Sequence, residues 1–375
     1  MIWNYPTRVR FGVGEVQNLA TEITRFGGTR PLLVTDPGVE RAGLAAPIVQ
    51  LLEQAGLPTL VFSEVSGNPT EANIEAGAAA YRAHNANCLV GLGGGSPLDS
   101  AKLIAVRVTV EHPFEQLDDA LGGDRFIPDV LPPIVAVPTT AGTGSEVGRA
   151  GVITVKSTGR KTVIFAPSML PRVAILDPEL TRSMPPHITA ATGIDALTHC
   201  LEALVAQGDH PMADAVALGG LELVWRSLAR AVDHGQDLQA RGDLLKAAMM
   251  GATAFQKGLG ACHSLAHPLS SECGMHHGLA NALCLTAVVE FNRESSAVAY
   301  DRVARIFGVS GARALAPALA EFMGKLGIRP GLSAAGVPRT LLPRLADLAF
   351  ADACHTSNPR VCSRDDLLAL YEAAM

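Results

Sequence analysis

CLVGLGGGSPLDSAK, residues 88–102, runs an apolar stretch (Cys88–Leu92) into three glycines and then a helical register that lasts to about Val106. An apolar run without polar alternation reads as a strand buried on both faces, which is the texture of a parallel sheet. The same rhythm recurs upstream. PLLVTD (31–36) is a run followed by helical spacing over Gly43–Ala55, and TLVFSEV (59–65) is followed by a helix over Ala72–His84. IVAVP (134–138) is a fourth run, whereas Gly151–Val155 and Lys161–Ala166 read as hairpin strands. Strands alternating with helices predict right-handed crossovers and a Rossmann-like α/β sheet.

Past Ser183-Met184-Pro185-Pro186 the texture changes. Alanine- and leucine-rich stretches at helical spacing cover Ile194–Gln207, Met212–Val232, Leu238–Phe255, His277–Phe291, Ala297–Phe307, Ala314–Leu326 and Leu367–Met375. Strand-like runs are almost absent there. The expected organisation is an α/β domain over 1–183 and an all-α domain over 184–375.

Hydrophobic residues make up 48% and charged residues 18% of 375, so the chain can bury large cores and is not a disordered polymer. Its net charge of −6 and the lack of a basic stripe speak against a nucleic-acid partner. Apolar runs such as Leu131–Pro138 fall short of the roughly 20 residues of a membrane span, and Met1–Pro6 does not open a secretory leader. Seven scattered cysteines with no Cys-x-x-Cys pair fit a reducing cytoplasm, with Cys200 and Cys262 as small buried apolar residues.

The glycine-rich turn has a chemical use. Three glycines let backbone approach a bulky anion, and the free N–H groups and dipole of the following helix favour a pyrophosphate. Ser96 is expected to cap that helix, with Pro97 at its first position. A second strand closes on Thr139-Thr140-Ala141-Gly142-Thr143, another cluster of small residues. Asp36 ends the first clear strand, where a carboxylate can hold both hydroxyls of an adenosine ribose and repel a 2′-phosphate, favouring NAD over NADP. An Asx turn with Pro37-Gly38 is the local alternative.

The helical half carries a different pattern. Asp195 and His199 are four apart and share a helix face, His263 and His267 repeat the spacing, and His276-His277 follow. A carboxylate with several imidazoles is a donor set for a first-row divalent metal, Fe2+ or Zn2+. Periodicity chooses neither between His276 and His277 nor between His263 and His267. A metal beside a nicotinamide suits hydride transfer at a carbinol carbon, with a spare histidine relaying the alcohol proton.

The set GGGSPLDSAK (93–102), VPTTAGTGSEV (137–147), DPELT (177–181), GIDALTHCLEA (193–203) and HSLAHPLS…HHG (263–278) resembles the iron-containing, or group III, alcohol dehydrogenase family over essentially the whole chain. The resemblance implies an N-terminal Rossmann-like domain with a helical C-terminal domain, and an enzyme that is commonly a dimer or larger. It implies metal ligation by Asp195, His199, His263 and His277, with Asp195 also part of the catalytic centre and His267 near the reacting carbon. Gly94, Gly95 and Ser96 would hold the pyrophosphate of NAD and Asp36 the ribose. Asn68, Asp99, Thr139, Thr140, Thr143 and Lys161 would complete the dinucleotide site.

Two departures bear on substrate. Lys257 stands where many relatives carry an asparagine-like residue, and Gly148-Arg149-Ala150 stands where they carry bulkier or amide side chains. Lys257 or Arg149 would favour a small primary alcohol with an acidic tail, an ω-hydroxy acid, unless Lys257 is a helix-surface lysine and Arg149 is held in an ion pair. Two enzyme classes compete: a metal-independent maleylacetate reductase-like enzyme, which would lack the full ligand set, and a dehydroquinate synthase-like lyase, which would need more basic residues near the histidines.

Overall fold

Residues 7–157 and 159–375 are described in the structure, a computed structural model, so the reading of Met1–Pro6 falls outside them. The chain divides into two compact units. One runs to Thr140 and resumes over Gly144–Ser183, and the other comprises Ala141–Thr143 and Met184–Met375.

The first unit is a six-stranded sheet in the order β1-β8-β5-β4-β2-β3, built from β1 (Arg8–Phe11), β2 (Pro31–Val34), β3 (Leu60–Phe62), β4 (Cys88–Gly93), β5 (Ile134–Pro138) and β8 (Val173–Leu176). Every pairing in it is parallel. Helices α1 (Leu19–Arg25), α2 (Pro37–Arg41), α3 (Ala45–Gln54), α4 (Glu71–Ala83) and α5 (Gly95–Arg107) make the crossovers. The two-residue period of a strand divides the core: Leu32 and Val34 pack with Ile104, while Leu33 packs with Val90 and Val137 on the other face. Strands β6 (Ala150–Thr154) and β7 (Lys161–Phe165) form a separate antiparallel hairpin.

Strands β1 and β8 extend the sequence reading. The half-exposed RVRF of β1 alternates charge with apolar residues, so its first-strand status comes from pairing with β8 and not from its own pattern. The helix after β4 also starts earlier than expected. Gly94 is its N-cap and Ser96 lies in its first turn, where the Ser96 Oγ donates to Gly67 O at 2.8 Å instead of capping. The cause is Gly93, whose φ of +148° turns the chain at the last strand residue. A Cβ there would meet Pro97 Cγ at 2.6 Å, so the turn requires glycine. Pro97 becomes the third helical residue, still within the turn whose N–H groups have no intrahelical acceptor.

The second unit is helical: α6 (Pro186–Val205), α7 (Pro211–Asp233), α8 (Leu238–Ala254), α9 (Ala261–Cys273), α10 (His277–Asn292), α11 (Ala297–Phe307), α12 (Leu315–Lys325), α13 (Leu342–Phe350) and α14 (Arg364–Ala373). Helices α9 and α13 go beyond the sequence reading; Pro268 inside α9 breaks the helical signal there. Helix α6 is long and apolar enough to cross a membrane, and 89% of that stretch is buried inside the fold, as in a core helix. Its packing against α7, α8 and α10 accounts for the apolar character.

Candidate active site

Four side chains from three helices converge in the helical unit. Asp195 and His199 come from α6, His263 from α9 and His277 from the first position of α10. Each offers a donor atom, and the four donor atoms lie within 4.8 Å of one another. Asp195 Oδ1 is 3.4 Å from His277 Nε2 and 3.9 Å from His263 Nε2. The rings of His199 and His263 stack at 4.6 Å. Close approach of α10 to α6 depends on Gly278, where a Cβ would meet Ala191 O at 2.2 Å.

The electrostatics suit a divalent cation. Burial would raise the Asp195 carboxyl, but the surrounding histidines and the Asn281 amide outweigh it and hold the group below its ordinary range. Burial draws His199 down to about 4 and His277 well below its ordinary value. Neutral pH therefore leaves a carboxylate beside the unprotonated imidazoles of His199 and His277, the protonation state that a metal requires of them. The Nδ1 of His199 is buried and has no hydrogen-bond partner, so its lone pair lacks a mate. Cys200 and Cys262 take no part: burial pushes the Cys200 thiol up to about 12 and Cys262 well above its ordinary value.

Three further residues were not read from the sequence. Glu202, buried on α6, accepts from His263 Nδ1 at Oε2 (2.5 Å) and from the Cys262 N–H at Oε1 (2.7 Å). That fixes the tautomer of His263 and turns Nε2 toward Asp195. Asn281 lies one turn after His277 and donates from Nδ2 to Asp195 Oδ1 at 2.8 Å. Asp352 accepts from His267 Nδ1 at 2.7 Å and from Ser264 Oγ at 2.7 Å. Glu202 and Asn281 had a signal, a polar residue in helical register with a ligand. Asp352 had none, because the contact spans 85 residues between helix and loop.

His267 stands apart from the four. Its ring stacks on that of His277 at 5.3 Å, but its Nδ1 is spent on Asp352. A donor trio of His267, Asp352 and Cys354 also lies within 4.8 Å, yet burial and Asp352 raise the Cys354 thiol well above its ordinary value. The trio is a hydrogen-bonded pair beside a protonated thiol. His276 is exposed and precedes α10 as its N-cap.

In the α/β unit, Gly94, Gly95 and Ser96 follow the carboxyl end of β4, and Thr139 and Thr140 follow that of β5. Thr139 N donates to Gly93 O at 2.9 Å, which sets the Thr139-Thr140 turn against the glycines. A Cβ on Gly94 would meet Thr140 Oγ1 at 3.1 Å. Gly94 and Gly95 open α5, and the Ser96 bond to Gly67 draws in the loop that carries exposed Asn68. Thr143 falls in the three-residue segment grouped with the helical unit. Asp99 is committed inside the protein: Oδ1 accepts from Ser145 Oγ (2.5 Å) and Oδ2 from Val152 N (3.1 Å). Buried Lys102 joins them through Ser145 Oγ and Ala150 O, both at 2.7 Å. Asp99 therefore anchors the hairpin to α5, and its charge acts on Lys161, whose ammonium burial draws down. Asp36 Oδ1 accepts from the N–H of Gly38 (2.7 Å) and Val39 (3.0 Å), so the Asx-type turn forms and one carboxylate oxygen caps α2.

Residues 6–178 match the model of the iron-containing alcohol dehydrogenases, and residues 189–375 match the C-terminal model of the Fe-containing alcohol dehydrogenase family. The chain belongs to the iron-containing alcohol dehydrogenase family. As such it is an alcohol dehydrogenase that works with a nicotinamide dinucleotide and a divalent metal. The enzyme is 40% identical to 4-hydroxybutyrate dehydrogenase of Cupriavidus necator over 99% of both chains. It is 34% identical to 1,3-propanediol dehydrogenase of Klebsiella pneumoniae over 97% of this chain and 96% of that one. A solved 1,3-propanediol oxidoreductase superposes with a TM-score of 0.95 at 34% identity, covering 100% of both chains.

The two residues singled out for substrate fare differently. Lys257 Nζ pairs with Asp214 Oδ1 at 2.6 Å and donates to Leu204 O at 3.1 Å, with its side chain 4% exposed. It is a structural ion pair and has no charge to spare for a substrate. The Arg149 guanidinium lies over the Phe165 ring at 5.4 Å and forms no ion pair among the described residues.

Proposed function

We propose that the enzyme interconverts a small primary alcohol carrying a terminal carboxylate with its aldehyde, using NAD, in the cytoplasm, as a homodimer or larger assembly. Asp195, His199, His263 and His277 are the proposed metal ligands, and the meeting of their four donor atoms carries the reading. Their chemistry accepts Fe2+ or Zn2+. The carboxylate tail is supported by the 4-hydroxybutyrate dehydrogenase at 40% identity and by an Arg149 free of ion pairs among the described residues. The preference for NAD is supported by the negative charge of Asp36, whose Oδ2 is left over from capping, at the end of a strand beside the glycine-turn strand.

When bound, the divalent cation supplies Lewis acidity at the alcohol or aldehyde oxygen and the nicotinamide exchanges the hydride. The protein supplies the rest. Asp195 contributes the carboxylate of the ligand set, and Glu202 orients His263. The first turn of α5, with Gly94, Gly95 and Ser96, presents N–H groups to the pyrophosphate. His267, with Nδ1–H given to Asp352, keeps Nε2 as its exchangeable nitrogen and is the proposed proton relay. NADH absorbance with 4-hydroxybutyrate and 1-butanol at matched concentration tests the substrate: turnover favouring 4-hydroxybutyrate is expected, and a clear preference for 1-butanol overturns the carboxylate tail. Stoichiometric NADH accumulation also separates this reaction from a lyase that returns its hydride.

A further inference from the structure

Asn281 is fully buried, one helical turn after His277 on α10. Its Nδ2 lies 2.8 Å from Asp195 Oδ1, 3.3 Å from His263 Nε2 and 3.3 Å from His277 Nε2. One amide nitrogen thus touches a donor atom of three of the four proposed ligands. The orientation of that amide is set by chemistry. Asp195 Oδ1 only accepts, and His263 gives its Nδ1 proton to Glu202, which leaves Nε2 as its lone-pair nitrogen. The group facing them must donate, so Nδ2 points in and Oδ1 points away, where it is buried without a partner. A side chain with a wasted acceptor is poorly explained by packing or by fold stability alone. It is explained if the donor end has a task that a smaller or apolar residue could not perform.

We propose that Asn281 is a positioning residue for the metal centre, holding Asp195, His263 and His277 at one point before the cation arrives. A neutral donor suits that task. An ammonium or guanidinium there would compete with the cation, and a second carboxylate would repel Asp195. Three ligand atoms gathered around one NH2 group, with two hydrogens to share among them, spare the cation the work of collecting them, which is preorganisation of the ligand set. The inference rests on the proposed ligand set, and its consequence is measured on metal affinity and coordination as well as on turnover.

The test is Co2+ binding to metal-stripped full-length protein, by competition with a chromophoric chelator and by the visible absorption bands of the bound ion. Wild type is compared with Asn281→Leu, close in shape but without a donor, and with Asn281→Ala, read in parallel so that a packing fault in the leucine variant does not decide the result. Both variants are expected to bind Co2+ at least tenfold more weakly and with altered bands, while both stay folded without metal by circular dichroism, with lower melting temperatures because buried Asp195 loses its donor. Wild-type affinity and bands in both variants would overturn the role of Asn281 and leave the ligand set standing. A wild-type protein that binds no Co2+ overturns both.

Discussion

His263 Nδ1 and Glu202 Oε2 lie 2.5 Å apart, both groups buried, with the other Glu202 oxygen held by the Cys262 N–H at 2.7 Å. A carboxylate that grips the far nitrogen of an imidazole fixes which nitrogen is left for a cation and makes it a better donor. Burial acts to lower the pKa of His263, but Glu202 and Asp195 outweigh it and raise it. Glu202→Gln keeps the shape and removes the charge. We expect metal affinity to fall about 10–100-fold, measured by chelator competition, with the fold intact by circular dichroism. Unchanged affinity would reduce Glu202 to a core hydrogen bond.

Glu146 predicts a pH effect on stability of the opposite sense to an ordinary carboxylate. It is buried with Oε1 unpartnered, and burial pushes it up to about 7 against the pull of its own backbone N–H and Lys102. The folded protein therefore binds the proton more tightly than the unfolded chain. The stability this confers is full below pH 4.5 and is lost as pH rises through about 7. Glu146→Gln should match wild type at pH 5 and melt several degrees higher at pH 8, for a difference of up to about 3 kcal/mol. Equal melting at pH 8 would show that the ionised carboxylate is already compensated.

Gly93 is the residue on which the glycine-rich turn depends, more than Gly94 or Gly95. Gly93→Ala sets a Cβ 2.6 Å from Pro97 Cγ at a φ of +148°. It should cost more than about 1 kcal/mol of stability and weaken NADH binding, followed by fluorescence titration. A variant with wild-type NADH affinity and melting temperature would contradict the role given to this turn.

Lys257→Met should leave the ratio of kcat/KM for 4-hydroxybutyrate over 1-butanol within about twofold of wild type while lowering stability, because Asp214 loses its partner. Arg149→Met is the contrasting variant. It should raise KM for 4-hydroxybutyrate and leave 1-butanol unaffected. A collapse of the ratio in the Lys257 variant would show that its ammonium is available to substrate after all.

The parallel sheet was legible because strands buried on both faces write themselves as unbroken apolar runs, as Cys88–Leu92 and Ile134–Pro138 do. Strand β1 was not, since its order comes from a partner some 160 residues away. Asp195 and His199 could be paired from spacing alone, because one helix carries both. The histidines of α9 could not be told apart that way: His263 and His267 share a face, and their difference lies in Glu202 and Asp352, which come from other elements. The Ser96 cap failed for a related reason. Local preference put the cap on the serine, while the backbone turned three residues sooner at Gly93. Spacing within one element was readable; hydrogen bonds between elements were not.

Anomalous scattering from crystals of the active holoenzyme, at the absorption edge of the metal it contains, tests the central claim most directly. The account predicts one strong peak within bonding distance of Asp195, His199, His263 and His277, missing in Asp195→Ala crystals whose protein makes no NADH from alcohol. A fully active enzyme whose only peak lies away from those four side chains would contradict it.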